Sequence, residues 1–295
     1  MFESIQQDLK YYLRSGNMVT RLILVNCIVF VAIVLIKVFT RDWQGGQDGS
    51  IYVWLVDENL KISSNIKEAL FHPWTFITHM FLHEGPWHLL WNMLWLFWMG
   101  RIFGDLVGDR KILPTYILGG LCGVVFMMLM AILIPNVIGD KALGASAAVS
   151  AIMLAAATTA PDSEMRFIII GSIRLKYIAL VFIVLQLLYS TASNTGGHFA
   201  HLGGAFFGWF SIVSLRRGYS LTAWFENLFD KKKKRVVSNP NMKVAHRSKL
   251  LDKSKKSSSG SALKDVDKIL EKIKRKGIES LSKEEKRILD QASQE

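Results

Sequence analysis

The sequence contains little cysteine, and its long apolar runs contain no acidic residue. Both cysteines, Cys27 and Cys122, lie within such runs, which argues against a disulfide framework. Residues 1–21 include acidic and aromatic side chains and have no cleavage-site pattern ahead of a short apolar core. The first apolar run is therefore predicted to be a retained helix rather than a secretion signal.

The positive charge is concentrated in the C-terminal tail. The formal net charge is +12, and residues 216–295 contain 22 Lys and Arg against 11 Asp and Glu. The remaining residues are therefore almost neutral, and no nucleic-acid partner is expected for the main body. A basic tail beside a membrane is expected instead to contact anionic lipid headgroups.

Six apolar runs dominate residues 22–215. A membrane-crossing helix needs about 20 mostly apolar residues. The runs lie at 22–39, 87–103, 112–134, 143–160, 177–190 and 198–215. Arg174 and Lys176 precede the fifth run, and Phe167 is an alternative start for it. The predicted fold class is all-α, a polytopic membrane protein with a six-transmembrane-helix bundle.

Lys and Arg in the connections orient this bundle. With a cytoplasmic N-terminus, the cytoplasmic segments contain 31 basic residues and the opposite segments contain 4, as the positive-inside rule requires. Both termini are thus expected in the cytoplasm of a multi-pass cell-membrane protein. The compact plan without an organelle presequence favours a bacterial inner membrane. The outer segment 40–74, which contains several Trp and Tyr, is expected to be an irregular loop partly embedded at the interface.

Three polar residues are predicted to lie at one depth of the membrane. Ser146 lies fifteen residues before Pro161, and His201 lies fifteen residues before Arg216. Both would lie about 22 Å above the inner boundary of a hydrocarbon core about 30 Å thick. His88, thirteen residues before Arg101, falls at nearly the same height. Polar groups inside spans are costly, so they point to a functional site.

These residue types fit a serine nucleophile with a histidine base. A serine hydroxyl needs a base within hydrogen-bond reach, which an imidazole supplies near neutral pH. Asn92 follows His88 by four residues and shares its helix face. These two side chains and the backbone N–H of Ser146 can donate to an oxyanion. Since no carboxylate lies within the runs, a Ser146–His201 dyad is expected rather than a triad.

Small residues predict that the helices with Ser146 and His201 touch. Gly204 and Gly208 follow His201 at a spacing that allows helix backbones to approach closely. The Gly-x-Ser pattern itself has little weight, because Gly218-Tyr219-Ser220 matches it as well. The predicted depth distinguishes Ser146 from that chance match.

At these residues the sequence resembles the rhomboid family of intramembrane serine proteases. Gly144-Ala145-Ser146-Ala147 is similar to the family's G-x-S-x motif, Ala200-His201-Leu202-Gly203-Gly204 with Gly208 to its A-H-x-x-G-x-x-x-G motif, and His88-Leu89-Leu90-Trp91-Asn92 to its H-x-x-x-N motif. The order and spacing agree over about residues 20–216.

The resemblance implies a specific enzyme. Ser146 would be the nucleophile, His201 the general base, and His88 and Asn92 would form the oxyanion hole with the Ser146 amide. The substrates would be transmembrane proteins, cleaved near their outer ends from a water-filled cavity. No cofactor and no metal are expected.

Two positions depart from the family pattern. Many members have an aromatic residue four positions after the serine, stacked on the catalytic histidine, where this chain has Ser150. Many also have Trp-Arg in the first outer loop, where this chain has Trp74-Thr75. The first departure concerns the orientation of His201, and the second concerns the anchoring of the loop.

Two other functions are open. One is a membrane metalloenzyme, because His79 and His83 are at i+4 and His198 and His201 at i+3. Against it, the stretch from His83 to His88 is not H-E-x-x-H, and zinc sites need three or four converging ligands. The other is an inactive relative that binds membrane helices without cutting them, although such proteins typically lack the serine or the histidine.

Four regions are predicted along the chain. They are a cytoplasmic N-terminal segment (1–20), the six-helix membrane protease domain (21–217), a basic disordered linker (218–262) and a small cytoplasmic helical hairpin (263–295). In the first helix of the hairpin, apolar residues recur at helical spacing; they are Val266, Ile269, Leu270 and Ile273. Ser282-Lys283-Glu284-Glu285 predicts a capping box that starts a second helix containing Ile288 and Leu289.

Overall fold

The structure is a computed structural model of the chain. It describes residues 17–41, 48–135, 138–167, 171–191 and 194–229, and in the tail residues 269, 272–274, 277 and 280–292. The chain divides into two compact units, Met1–Lys231 and Lys232–Glu295, and each is considered by itself. The described part of the first unit is mostly helical.

A helix occupies each of the six apolar runs. The helices are α1 (Met18–Thr40), α2 (Pro86–Val107), α3 (Ile112–Leu133), α4 (Ser146–Thr159), α5 (Leu175–Tyr189) and α6 (Thr195–Arg216). Among the described residues, α1 and the segment Asp109–Leu133 are long and apolar enough to cross a membrane, while α4 and α5 are shorter apolar helices. The count of six membrane spans stays a prediction.

Apolar side chains cover the outer faces of these helices. In α1 only Val19, Leu22 and Asn26 are buried, and half of its other apolar residues lie exposed. The same holds for the outward face of α5, including Leu180, Val184 and Leu188. Soluble domains rarely expose such extensive apolar surface, whereas lipid tails solvate it. The exposed apolar faces of these helices therefore indicate a membrane protein.

α4 lies at the centre of the bundle. It packs against α2, α3, α5 and α6, and ten of its 14 residues are buried. Most of the buried residues are alanines, whose short side chains allow neighbouring backbones to approach closely. The position of α4 is therefore fixed on several sides, which makes its N-terminus a rigid place for a reacting group.

The outer loop between α1 and α2 is more regular than predicted. Its described part contains short helices at Ser50–Tyr52, Ile66–Phe71 and Thr75–Thr78 and a π-helical turn at Val53–Glu58. In addition, β1 (Ile62–Ser63) pairs antiparallel with β2 (Lys141–Ala142) in the α3–α4 connection. The expectation of an irregular loop was wrong for these residues, because local capping and strand pairing satisfy the backbone groups.

Lys141 in β2 contacts two residues of the loop between α1 and α2. Its Nζ donates to the carbonyl oxygen of Asp57 at 2.8 Å and lies 3.2 Å from Oε1 of Glu68. The Ser63 hydroxyl donates to Oε2 of Glu68 at 2.9 Å, and this hydrogen bond holds the pKa of Glu68 below its ordinary range. Lys141, in β2, thus supplies a cation that holds this loop.

A short hairpin separates α4 from α5. Its strands, β3 (Glu164–Phe167) and β4 (Gly171–Arg174), pair antiparallel, and α5 begins only at Leu175. The alternative start of the fifth run at Phe167 was therefore wrong. Arg174 and Lys176, which precede the run, mark the true boundary.

Two basic residues hold the C-terminal end of α4. Lys176, at the start of α5, donates to Asp162 at 2.6 Å, and this hydrogen bond lowers the pKa of the Asp162 carboxyl. Arg216, at the end of α6, donates to the carbonyl oxygens of Thr158 and Thr159. The last carbonyls of a helix lack intrahelical partners, so α6 caps α4 through Arg216.

The predicted linker begins with a helix. α7 (Ala223–Phe229) follows α6, and Lys111 donates to Oε1 of its Glu226 at 2.8 Å. The Thr222 hydroxyl also donates to Glu226, at 2.6 Å. The linker prediction was therefore wrong for 223–229, because these contacts hold the helix. Residues 230–262 of the predicted linker lie outside the described residues.

The second unit contains the predicted capping box. The Ser282 N–H donates to Oε2 of Glu285 at 2.8 Å, and the Glu285 N–H donates to the Ser282 hydroxyl at 3.3 Å, at the start of α8 (Lys283–Ala292). The capping box is confirmed. Lys272 pairs with Glu285 at 2.8 Å, while the hairpin as a whole stays a prediction. Outside the described residues lie Val266, Leu270 and the side chains of Ile288 and Leu289.

Candidate active site

Ser146 is the first residue of α4 and follows a constrained turn. Gly144 has φ 127°, a conformation that residues with a Cβ rarely adopt, and its N–H donates to the carbonyl oxygen of His79 at 2.8 Å. The first N–H groups of a helix lack intrahelical partners, and the helix dipole favours negative charge beside them. The turn thus presents a hydroxyl next to backbone donors.

His201 of α6 contacts Ser146 directly. The Ser146 hydroxyl donates to Nε2 of His201 at 2.6 Å. The helices approach closely because α6 has glycine where it crosses α4. A Cβ on Gly204 would collide with the carbonyl oxygen of Ala147, and a Cβ on Gly208 with that of Ala151.

His88 and Asn92 lie on the face of α2 that is turned towards the serine. A Cβ on Gly144 would stand 3.2 Å from Nε2 of His88 and 3.4 Å from the Ser146 hydroxyl, so the two groups flank this glycine. Nδ1 of His88 accepts from the Glu84 N–H at 3.4 Å, which leaves the proton of the neutral ring on Nε2, the nitrogen beside Gly144. Asn92 donates to the carbonyl oxygen of His88 at 2.8 Å.

A largely apolar cavity of about 610 Å³ adjoins these groups. Its lining includes Ser146, Asn92 and His201, and also apolar and aromatic residues of α2, α4 and α5; among these are Trp91, Trp95, Met153, Tyr177, Val181 and Phe182. Ligand pockets commonly enclose about 300–1,000 Å³ and combine apolar walls with a few polar groups. The cavity therefore offers an apolar segment access to the serine.

Sequence patterns singled out neither Gln186 nor Phe182 of α5, although both contact His201. Oε1 of Gln186 accepts from Nδ1 of His201 at 2.8 Å, and the Phe182 ring lies 6.5 Å from the imidazole, centroid to centroid. One signal was available, since Gln186 is the only polar residue in the stretch 178–188. A polar group in such a stretch points to function.

Ser150, the residue that stands where many relatives have an aromatic, bonds within its own helix. Its hydroxyl donates to the carbonyl oxygen of Ser146 at 2.7 Å, one helical turn earlier. The aromatic contact to the histidine comes from α5 instead of α4. The chain thus has no aromatic residue at position 150, and the ring of Phe182 contacts His201 instead.

Among the other histidines, His79 bonds to a backbone carbonyl and His83 contacts the ring of His88. Nδ1 of His79 donates to the carbonyl oxygen of Thr75 at 2.7 Å, and the ring of His83 lies edge-on to that of His88 at 5.2 Å. Within the described ranges, no group of three or more His, Cys, Asp or Glu side chains is placed to hold a metal ion. The histidine spacings that suggested a metalloenzyme thus find no ligand cluster there.

Fold and site together define a helical membrane protein in which a serine at the start of a buried helix contacts a histidine of its neighbour. A family model for the Rhomboid domain matches residues 71–218, half of the chain. The chain belongs to the rhomboid family, whose members are mostly intramembrane serine proteases and include inactive proteins. A second model, a family of unknown function (DUF6576), matches residues 260–295.

Proposed function

We propose that the chain is an intramembrane serine endopeptidase that cleaves transmembrane proteins near their extracytoplasmic ends. The observation that carries the proposal is the 2.6 Å contact between the Ser146 hydroxyl and Nε2 of His201, beside an apolar cavity. A serine becomes a nucleophile when a base accepts its proton. In an inactive relative, no such contact would be needed.

Acyl transfer at this site follows from the positions of the two side chains. Nε2 of His201 accepts the hydroxyl proton while Oγ of Ser146 bonds to the carbonyl carbon of the substrate. The tetrahedral intermediate then expels the amine, which leaves with the proton from His201. Water, deprotonated by the same nitrogen, attacks the acyl-enzyme, and the regenerated serine takes back its proton.

The oxyanion would be held by donors around the N-terminus of α4. The Ser146 N–H lies at the positive end of the helix dipole, and Nε2 of His88 adjoins the same glycine as the serine. Asn92 lines the same cavity. Donors fixed before the reaction stabilise developing charge without reorganisation, and loss of one such donor costs about 10²–10³ in rate.

The length of α4 supports a site within the membrane. Its 14 residues extend for only about 21 Å, against about 30 Å of hydrocarbon. With its C-terminal end at the cytoplasmic boundary, as the charges of the connections favour, Ser146 lies below the outer surface. Substrate cleavage would then occur near the outer end of a membrane segment, from a protein with both termini in the cytoplasm.

The basic tail is assigned to the membrane surface. With 22 Lys and Arg against 11 acidic residues, residues 216–295 favour the anionic leaflet facing the cytoplasm. A bacterial inner membrane fits this placement, and the tail is given no part in the chemistry.

The test uses purified full-length protein in liposomes with a fluorophosphonate probe and a model transmembrane substrate. Wild type is expected to be labelled and to cleave, whereas Ser146→Ala does neither. Ser220→Ala is the matched control, because Ser220 has the same Gly-x-Ser pattern but contacts Lys111 away from the site. The control is expected to behave as wild type.

Three results would contradict the proposal. Equal cleavage by wild type and Ser146→Ala would exclude the serine mechanism, and loss of cleavage with a chelator instead would favour the metalloenzyme. If folded wild type neither reacts with the probe nor cuts, but retains a transmembrane peptide, the inactive helix-binding alternative is correct.

A further inference from the structure

Gln186 binds two imidazoles through one oxygen. Its Oε1 accepts from Nδ1 of His201 at 2.8 Å and from Nδ1 of His198 at 2.7 Å. A carboxamide oxygen has two lone pairs, so it can accept both protons. Gln186 is on α5, whereas both histidines are on α6, and the contact therefore joins two helices at the site.

The acceptor at Nδ1 determines which nitrogen faces the serine. A neutral imidazole has one N–H, and its tautomer follows from the hydrogen bond at the other nitrogen. With the proton held on Nδ1 by Gln186, Nε2 of His201 is left as the acceptor for the Ser146 hydroxyl. When Nε2 later binds the serine proton, the Nδ1–H of the imidazolium still donates to Gln186, so the ring keeps its orientation.

Phe182 supports the same ring from the same helix. It lies one turn before Gln186, and its ring is inclined by 35° to the imidazole of His201 at a centroid distance of 6.5 Å. Contacts that define both a hydrogen-bond direction and a ring face leave a side chain few orientations. α5 provides both kinds of contact to His201.

We propose that Gln186 is the positioning residue of His201, fixing its tautomer and orientation as the third member of a Ser146–His201–Gln186 array. This inference rests on the proposed function. A neutral carboxamide in this role avoids placing a charged carboxylate within an apolar bundle, where burial of a charge is costly. The competing role for Gln186 is structural, as a link between α5 and α6.

Two substitutions at this position separate the roles. Gln186→Leu removes the acceptor, and kcat is expected to fall about 10- to 100-fold, with KM and the thermal unfolding midpoint close to wild type. Gln186→Glu keeps an oxygen acceptor and is expected to retain more activity than Gln186→Leu. Its pH–activity profile should shift on the acidic side to higher pH, because a carboxylate favours the protonated imidazole. Both variants keep His198 and His88, the other titratable groups near His201.

His198→Phe is the matched control. It removes the other imidazole from the same oxygen while keeping an aromatic ring near Tyr189, which lies 6.0 Å from His198. Since the His201 contact remains, kcat is expected to stay within about threefold of wild type.

Several outcomes would overturn the inference. If Gln186→Leu has the kcat of wild type, Gln186 has only the structural role. The same holds if its activity falls only in proportion to the loss of folded protein. An unshifted profile for Gln186→Glu does the same. If Ser146→Ala is inactive while these variants behave normally, only this inference fails. If Ser146→Ala cleaves like wild type, the proposed function fails and this inference fails with it.

Discussion

α4 and α5 both supply groups to the site, but they are held very differently. α4 is enclosed by the bundle, with ten of its 14 residues buried. In α5 only Leu175 and Ala179 are buried, and Leu188 is 64% exposed. Ser146 is thus on the more buried of the two helices, while Gln186, the proposed positioning residue, is on a helix with an exposed apolar face.

The difference in burial separates a closely packed helix pair, α4 and α6, from the less enclosed helix α5. Backbone contact at Gly204 and Gly208 fixes the distance between α4 and α6, and with it the spacing of Ser146 and His201. Because only two residues of α5 are buried, displacing α5 would break fewer buried contacts than displacing α4, and it would open the cavity that α5 lines. Substrate entry and orientation of His201 are therefore expected to depend on the same helix.

Removing the close approach of α4 and α6 should have the largest effect. In Gly204→Val the new side chain collides with the carbonyl of Ala147. We expect the free energy of unfolding to fall by about 3 kcal/mol or more and cleavage to be abolished. Thermal unfolding in detergent measures the stability, and cleavage in liposomes measures the activity. Gly139→Ala is the control, because a Cβ there meets no atom within 4 Å. Equal stability of both variants would mean that the helices are not in backbone contact.

Truncation on the two helices gives a second comparison. Ile152→Ala on α4 removes a fully buried side chain and should cost about 2–3 kcal/mol. Leu188→Ala on α5 should be almost neutral, because lipid tails are as apolar as leucine. Chemical unfolding in mixed micelles measures both. Similar losses for the two variants would show that α5 is as enclosed as α4.

Arg216 allows a milder change at the far end of the α4–α6 pair. Arg216→Gln weakens the hydrogen bonds to the carbonyls of Thr158 and Thr159, and the expected loss is at most about 1 kcal/mol. Arg217→Gln makes the same change in charge at the next position and serves as the control. The helix-capping role is rejected if both substitutions lower the unfolding midpoint equally.

The smallest expected effect concerns the attachment of α5 to α4. The hydrogen bond from Lys176 lowers the pKa of Asp162 in the folded state. The Lys176–Asp162 interaction therefore stabilises the folded state above the pKa of Asp162 in the unfolded chain, about 3.9. This stabilisation is lost as the pH falls through the lower pKa of Asp162 in the folded state. Unfolding midpoints of wild type and Asp162→Asn, measured from pH 7 to pH 3, should converge at the acidic end. A constant difference over this range would contradict the assignment.

The central pair was predictable because helices impose regular spacing. The rise per residue placed Ser146 and His201 at one height, and the structure places their side chains in contact. The glycines after His201 and the spacing of His88 and Asn92 could be interpreted in the same way. Each of these signals lies within one helix or in a short motif.

Gln186 could not be assigned a partner from the sequence. It lies fifteen residues from His201, and its contact depends on how α5 is rotated against α6, which a nearly uniform apolar run does not specify. The β3–β4 hairpin was missed for a related reason, since apolar residues at 167–170 continue the hydropathy of the fifth run. The anchoring of the outer loop by Lys141 depends on a strand pairing between segments far apart in the chain.

Gly144 restricts how the gene for this protein can change. Its backbone conformation disfavours any residue with a Cβ, and such an atom would lie 3.1 Å from the His88 ring. If the proposed proteolysis is what selection maintains, codons for other amino acids at this position should be purged whatever the substrate. A lineage that kept the helical bundle without that activity would need no free space between residue 144 and His88. Replacement of the glycine would then distinguish inactive from active lineages in genome sequences.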